Sequence, residues 1–175
     1  MDDILDMIDW ASDISVDTPK KTTINANIPT TRQVIEFTDR YMKDTARFTG
    51  YDASEGALYV LFMLTLAMHP MGPSIFSVDS FDHALNPRLA KKMIQVFCEQ
   101  IIQNNKHVFL TTHNPLVLDG LDLQNDDIRL FAVDRDSNGY AQIRRISVSQ
   151  ELIDEGLPLS RLWISGRLGG VPSLQ

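Results

Sequence analysis

Two short runs in the middle of the chain most constrain what it can fold into. Ser74-Ile75-Phe76-Ser77-Val78-Asp79 continues into Ser80-Phe81-Asp82, and Val108-Phe109-Leu110-Thr111-Thr112 continues into His113-Asn114-Pro115. Each is an apolar, β-branched stretch that stops at a chemically capable polar residue. Such stretches, with a helical segment between them, predict neighbouring strands of a parallel α/β sheet, whose strand ends are where ligands bind. An aspartate and a histidine at adjacent strand ends point to a phosphate, metal or nucleotide site. The residue after the aspartate is a serine, Ser80, and no phosphate loop precedes it.

The 175 residues suffice for one core, and 43% hydrophobic with 22% charged residues is an ordinary globular balance. A net charge of -7 and a pI near 4.9 argue against direct nucleic-acid binding by a general basic surface. Arg144-Arg145 and Lys91-Lys92 are isolated basic pairs. The single cysteine, Cys98, excludes an internal disulfide and a thiolate zinc cluster, and its apolar setting reads as a small buried hydrophobe. The longest apolar stretch, Gly56 to Met71, is broken by Thr65 and His69 and reads as a buried helix, not a membrane span. The acidic start, Met1-Asp2-Asp3-Ile4, lacks a basic export region, so a cytoplasmic location is expected.

Along the chain, residues 3–11 predict a short helix and residues 12–32 a loop, crossed by a short strand at Thr22 to Ile28. Glu36 to Thr45 has helix-like spacing of Val34, Ile35, Phe37 and Tyr41. Ser54 is placed to cap a helix through Leu66 that is apolar nearly all round, so both its faces should be covered. Pro87 opens a helix to about Asn104 with a stripe of Leu89, Met93, Val96, Phe97 and Ile101. Pro115 to Asp119 is a short helical piece. Ile128 to Val133 and Tyr140 to Ile146 should form a hairpin across Asp136-Ser137-Asn138-Gly139, since Asn-Gly is a strong hairpin signal. Ser149 caps a helix over Glu151 to Glu155, and Leu159 to Gly166 is the last helical piece before a poorly anchored tail.

At the strand ends, Asp79 can hold Mg²⁺ beside nucleotide phosphates, or serve only as a cap or ion-pair partner. His113 can contact a phosphate or orient a water, or be a structural histidine. Thr111 and Thr112 are potential hydroxyl donors, and Asp82 is a second acid able to reach the same place.

Asp52-Ala53-Ser54-Glu55-Gly56-Ala57-Leu58 opening a long helix, the strand ending at Asp79, Leu85-Asn86-Pro87, Thr111-Thr112-His113-Asn114-Pro115, Asp126-Asp127-Ile128 before the hairpin, and the late Leu-Trp-Ile-Ser-Gly-Arg-Leu-Gly-Gly run occur in one order. In that order and spacing, roughly residues 50–170 resemble the C-terminal half of an ABC-type ATPase head of the SMC/RecF/Rad50 group, most closely the OLD and AAA-like defence ATPases. The resemblance implies an α/β fold: a partial P-loop NTPase-like lobe with a mainly parallel sheet, a late β-hairpin and flanking helices. It divides the chain into an N-terminal extension (1–49), the lobe (50–170) and a tail (171–175).

It also implies ATP and Mg²⁺ as cofactors. Asp79 would be the metal ligand, and Ser54, Gly56, Asp79, Ser80 and His113 the nucleotide contacts, Ser54 and Gly56 acting on a facing subunit. His113 and Asp82 would be the catalytic candidates. Two departures count against autonomous hydrolysis. Ser80 stands where the family has a catalytic glutamate, and Phe81 where a proline is usual. A serine cannot take a proton from water at neutral pH, and losing a general base costs about 10²–10⁴-fold. Nor is there a Gly-rich loop ending in Lys-Ser or Lys-Thr; Lys20-Lys21-Thr22-Thr23 lacks the glycines.

The expected function is therefore a degenerate or truncated ATPase-like protein acting as a nucleotide-linked binding or regulatory module, with a self-association or partner-ATPase interface. The alternatives are half of a split ATPase completed by a partner in DNA repair or phage defence, and a metal-dependent phosphoesterase or nuclease built on Asp79, Asp82 and His113.

Overall fold

Residues 2–17, 33–42, 47–147 and 156–168 are described by the structure, a computed structural model. The chain forms two compact units, Met1–His69 and Pro70–Gln175. The expected strand at Thr22 to Ile28, the Lys20–Thr23 stretch, the Ser149-capped helix and the tail lie outside the described residues.

The first unit opens with a short helix α1 (Asp2–Met7), followed by strands β1 (Ala11–Asp17), β2 (Val34–Asp39) and β3 (Arg47–Thr49) and helix α2 (Glu55–Met68). The strands form an antiparallel sheet in the order β1-β2-β3, with an irregularity between Ala11 and Asp13. This corrects two expectations. The loop predicted from residue 12 begins as strand β1, and the helix predicted over Glu36 to Thr45 begins as the central strand β2. Val34, Ile35 and Thr38 are β-branched, and Phe37 is wholly buried between two partner strands. Tertiary pairing thus overrides an ambiguous spacing. Asp39 ends the strand by accepting the backbone N–H groups of Tyr41 and Met42 at 2.7 and 3.2 Å, an Asx-type turn. Glu36, 3% exposed, is matched by Arg47 at 3.3 Å.

Helix α2 begins as expected. The Ser54 side chain accepts the Ala57 N–H at 3.2 Å. Ala57, Val60, Met63, Leu64 and Ala67 are buried, but Phe62 is 58% exposed. The helix is therefore not covered all round.

In the second unit, β4 (Ile75–Val78), α3 (Pro87–Gln103) and β5 (His107–Leu110) form a strand–helix–strand crossover, with β4 and β5 paired in parallel from Ile75↔His107 to Val78↔Leu110. Asn86 caps α3 by accepting the Leu89 N–H at 2.9 Å, with Pro87 in the first turn. The predicted stripe faces inward at Met93, Val96, Phe97 and Ile101, joined by Ala90 and Ile94. Phe97 meets Phe76 at 6.4 Å and Phe81 at 5.5 Å between ring centroids. Fully burying such a ring contributes about 2–3 kcal/mol. Cys98 is partly buried, and burial, with a smaller effect of Glu99, pushes its thiol up to about 11.

Helix α4 (Pro115–Leu118) follows, then the antiparallel hairpin β6 (Leu130–Arg135) and β7 (Ala141–Ile146), then α5 (Leu159–Ile164). Ile146, Leu162 and Leu168 form a small core beneath the hairpin, with Leu130, Ala132 and Trp163 against it. Among the described residues the expected mainly parallel sheet is reduced to the β4–β5 pair, and every other pairing is antiparallel. The fold is a mixed α/β one. No helix among the described residues is long and apolar enough to cross a membrane.

Candidate functional site

The parallel register sets the chemistry. Pairing Val78 with Leu110 brings the ends of β4 and β5 level, so the residues just beyond each strand meet. The Thr111 N–H donates to the Val78 carbonyl at 3.1 Å, and the Phe81 N–H donates back to the Thr111 carbonyl at 2.9 Å. Between these bonds the Thr111 hydroxyl donates to Asp79 Oδ1 and accepts the Ser80 N–H at 2.9 Å. One residue later, the Thr112 hydroxyl donates to Asp82 Oδ1 and accepts the Asn114 N–H at 3.0 Å. Each acid of the first loop is thus held by a threonine of the second.

Deeper anchors hold the loops. Phe81 is wholly buried against Phe97, and Leu85 is buried at the foot of α3. Asn114 caps α4 through the Leu116 N–H at 3.0 Å. Ser80, at the expected general-base position, has φ of 54°, a left-handed conformation that a side chain with a Cβ adopts at some cost. The turn after it is closed by the His83 N–H on the Ser80 carbonyl at 3.0 Å.

Strand β4 is only half covered, and Asp79 at its end is exposed. Asp82 is part-buried, and His113 is exposed. Asp79, Ser80, Asp82 and His113 all lie on the two loops beyond β4 and β5. Among the described residues, no three His, Cys, Asp or Glu side chains gather closely enough to hold a metal ion by themselves. The Asp79–Asp82–His113 metal centre expected for a phosphoesterase or nuclease is therefore not formed: both carboxylates are bonded to threonines, and the histidine does not join them.

Ser54 and Gly56 belong to the first unit. Thr49, wholly buried, accepts the Asp52 and Ala53 N–H groups on its carbonyl at 2.9 and 3.1 Å, while its hydroxyl donates to Asp52 Oδ2 at 2.8 Å. This fixes the turn that delivers Ser54 to the start of α2, with Gly56 in its first turn. Beside Ser54 lies a shallow cavity of about 200 Å³ lined also by Trp10, Asp39, Phe48, Asp52 and Ala53. Trp10 meets Phe48 edge-on at 6.2 Å. Sequence reasoning missed this cavity, because Trp10 and Phe48 come together only through the β1-β2-β3 order.

A solved chain from work on the structural biochemistry of ATP-driven dimerization and DNA stimulated activation of SMC ATPases has the same fold. The match has a TM-score of 0.52 at 11% identity, over 89% of this chain and 88% of that one. No curated protein matches the sequence. The family described as "AAA domain, putative AbiEii toxin, Type IV TA system" matches residues 10–119, which span β1 through the strand-end loops and α4. With that span covering most of the chain, the protein belongs to this AAA-domain family.

Proposed function

We propose that this chain is a nucleotide-linked binding or regulatory module of the ATPase superfamily and not a self-sufficient ATPase. The observation that carries the reading is the locked pair of loops beyond the parallel strands. Asp79 offers a carboxylate at a strand end, oriented by the Thr111 hydroxyl, within a family of AAA domains. A single hard oxygen ligand suits Mg²⁺, which keeps several of its waters and binds beside phosphates. His113, exposed on the neighbouring loop, is the proposed contact on the γ-phosphate side. Asp82, two residues past Ser80, is the other acid of this loop, but its bond to Thr112 restrains it from acting as a base.

The residues fit the metal side of a nucleotide site and not the phosphate cradle. No Gly-rich loop occurs in these 175 residues. Ser80 has no basic atom able to activate water at neutral pH. Hydrolysis, which needs a full phosphate cradle, would require such a loop from outside these residues, whereas the proposed module needs only to bind the metal-loaded nucleotide.

Ser54 and Gly56 are the proposed trans contact, since the amides of a helix N-terminus favour an anion. Asp39 and Asp52 line the cavity beside Ser54. A polyphosphate reaching it must arrive neutralised by Mg²⁺ or by basic side chains, which suits a metal-loaded nucleotide held by another subunit.

The second reading, half of a split ATPase completed by a partner, draws on one observation. Parallel strands are normally covered on both faces, yet Ile75 and Phe109 on one face of the β4–β5 pair are 65% and 70% exposed. The AbiEii and toxin–antitoxin wording of the family description suits a defence role over a DNA-repair one.

Calorimetric titration with ATP and Mg²⁺, alongside light scattering, tests the proposal. Binding in the ~1–100 μM range that disappears in Asp79→Ala is the expected outcome, with a rise in mass if two copies close on the nucleotide. No binding by the wild-type chain would sink the self-contained module and leave the split-ATPase reading, which predicts binding only with a loop-bearing partner.

A further inference from the structure

The β6–β7 hairpin has two unlike faces. On the inner face Leu130 opposes Ile146, and this pair packs over Leu162 and Leu168. On the outer face Phe131 opposes Arg145, Val133 opposes Ile143 and Arg135 opposes Ala141. Phe131, Val133 and Ile143 are 51%, 64% and 73% exposed, and Tyr140 stands out at the tip. An aromatic ring and two β-branched side chains thus form a continuous apolar strip with an arginine toward each end. The strip carries no carboxylate of its own, because Asp134 points to the inner face. Asp126 approaches Arg145 only at 3.9 Å, in the open.

We propose that this outer face docks an extended segment of a partner protein whose one side presents apolar side chains flanked by an acidic one at each end. Every second side chain of an extended segment points to the same side. Apolar ones at the two central positions of that side would cover Phe131, Val133 and Ile143, and acidic ones at its two ends would meet Arg145 and Arg135. Exposed phenylalanine, tyrosine and arginine are the residue types enriched in interface cores and hot spots. A nucleic acid carries the same sign of charge but fits less well. Two arginines around an apolar centre give little phosphate neutralisation and leave the apolar strip uncovered. The proposal does not depend on the nucleotide site.

The test uses the full chain and three fluorescent probes: an acetylated Glu-Thr-Val-Thr-Ile-Thr-Glu peptide, its counterpart with lysine for both glutamates, and an oligothymidylate. The acidic peptide should bind and shift the amide resonances of β6 and β7. Reversing charge in the double variant R135E/R145E, both sites exposed, should weaken it about tenfold or more and transfer preference to the lysine peptide. Asp126→Asn should tighten the acidic peptide by removing the competing carboxylate. Retained NMR dispersion in the double variant separates lost binding from lost fold. Absence of binding at millimolar peptide, equal binding of both peptides to the wild type, unchanged binding by the double variant, or displacement of the peptide by oligothymidylate would overturn the proposal.

Discussion

A methyl group is too much at position 120. A Cβ there would overlap the Ile94 side chain and the Lys91 carbonyl, so α4 reaches α3 only because residue 120 is glycine. Gly120→Ala should cost about 1–3 kcal/mol, the usual range for overpacking. It should appear as a lower urea midpoint at unchanged slope, and an unchanged midpoint would show that α3 yields freely. At the hairpin turn, Asp136 accepts the backbone N–H groups of Tyr140 and Asn138, both at 2.9 Å; the Tyr140 bond first, helped by Asn138, Gln142 and Gly139, outweighs desolvation and holds its carboxyl below the usual 3.8. The ionised form is the one the fold favours. Its contribution is therefore complete above pH 3.8 and lost as the pH falls through the lowered value. Following the Asn138 and Tyr140 amide protons by NMR during acidification should give a midpoint below 3.8, absent in Asp136→Asn. A midpoint at or above the ordinary value counts against the turn geometry.

Among the elements, β2 carries the first unit. It pairs with both neighbours, and Phe37 meets Trp10 at 5.5 Å with no exposed surface. Phe37→Ala should cost about 3–5 kcal/mol, read by thermal or urea denaturation; a loss under ~1 kcal/mol would mean that the ring lies outside the core. This strand was not legible in the sequence. Val34, Ile35 and Phe37 satisfy a helical spacing as readily as a central strand's apolar run, and only its partners decide. The segment from β4 to α4 read more closely, because Asn86, Pro87, Asn114 and Pro115 are local start signals that act without tertiary help. The site was half legible on the same grounds. The strand-end acids and the threonines could be named, but the assignment of Thr111 to Asp79 and Thr112 to Asp82, 32 and 30 residues apart, depends on a register that no local pattern specifies. The cavity at Ser54 was not legible, because Trp10 before β1, Asp39 at the end of β2 and Phe48 in β3 reach the Asp52–Ser54 turn only through strand pairing.

For the whole molecule, the proposed reading makes a phosphate loop matter more than a general base. Ser80→Glu places a carboxylate where that reading puts the base. The purified chain should nevertheless release no phosphate from ATP above the uncatalysed rate, since positioning and charge neutralisation carry most of phosphoryl transfer. Turnover by Ser80→Glu that is abolished by Asp79→Ala would refute this. A different whole-molecule consequence follows from Asp119, whose two carboxylate oxygens accept the N–H and hydroxyl of Ser160, each at 2.8 Å across 41 residues. A bond spanning so much chain closes a large loop, and the entropy of that closure places it after the local α3–α4 contacts form. The bond is expected to form late, as a latch. Ser160→Ala should raise the unfolding rate about 5–10-fold while leaving the folding rate nearly unchanged, the signature of a contact absent from the transition state. An equal slowing of folding in stopped-flow chevrons would place the latch in the nucleus. If the latch is late, the molecule's lifetime against unfolding is set at the far end of α4 from the strand-end acids, so selection can lengthen that lifetime without touching the residues proposed to meet a nucleotide.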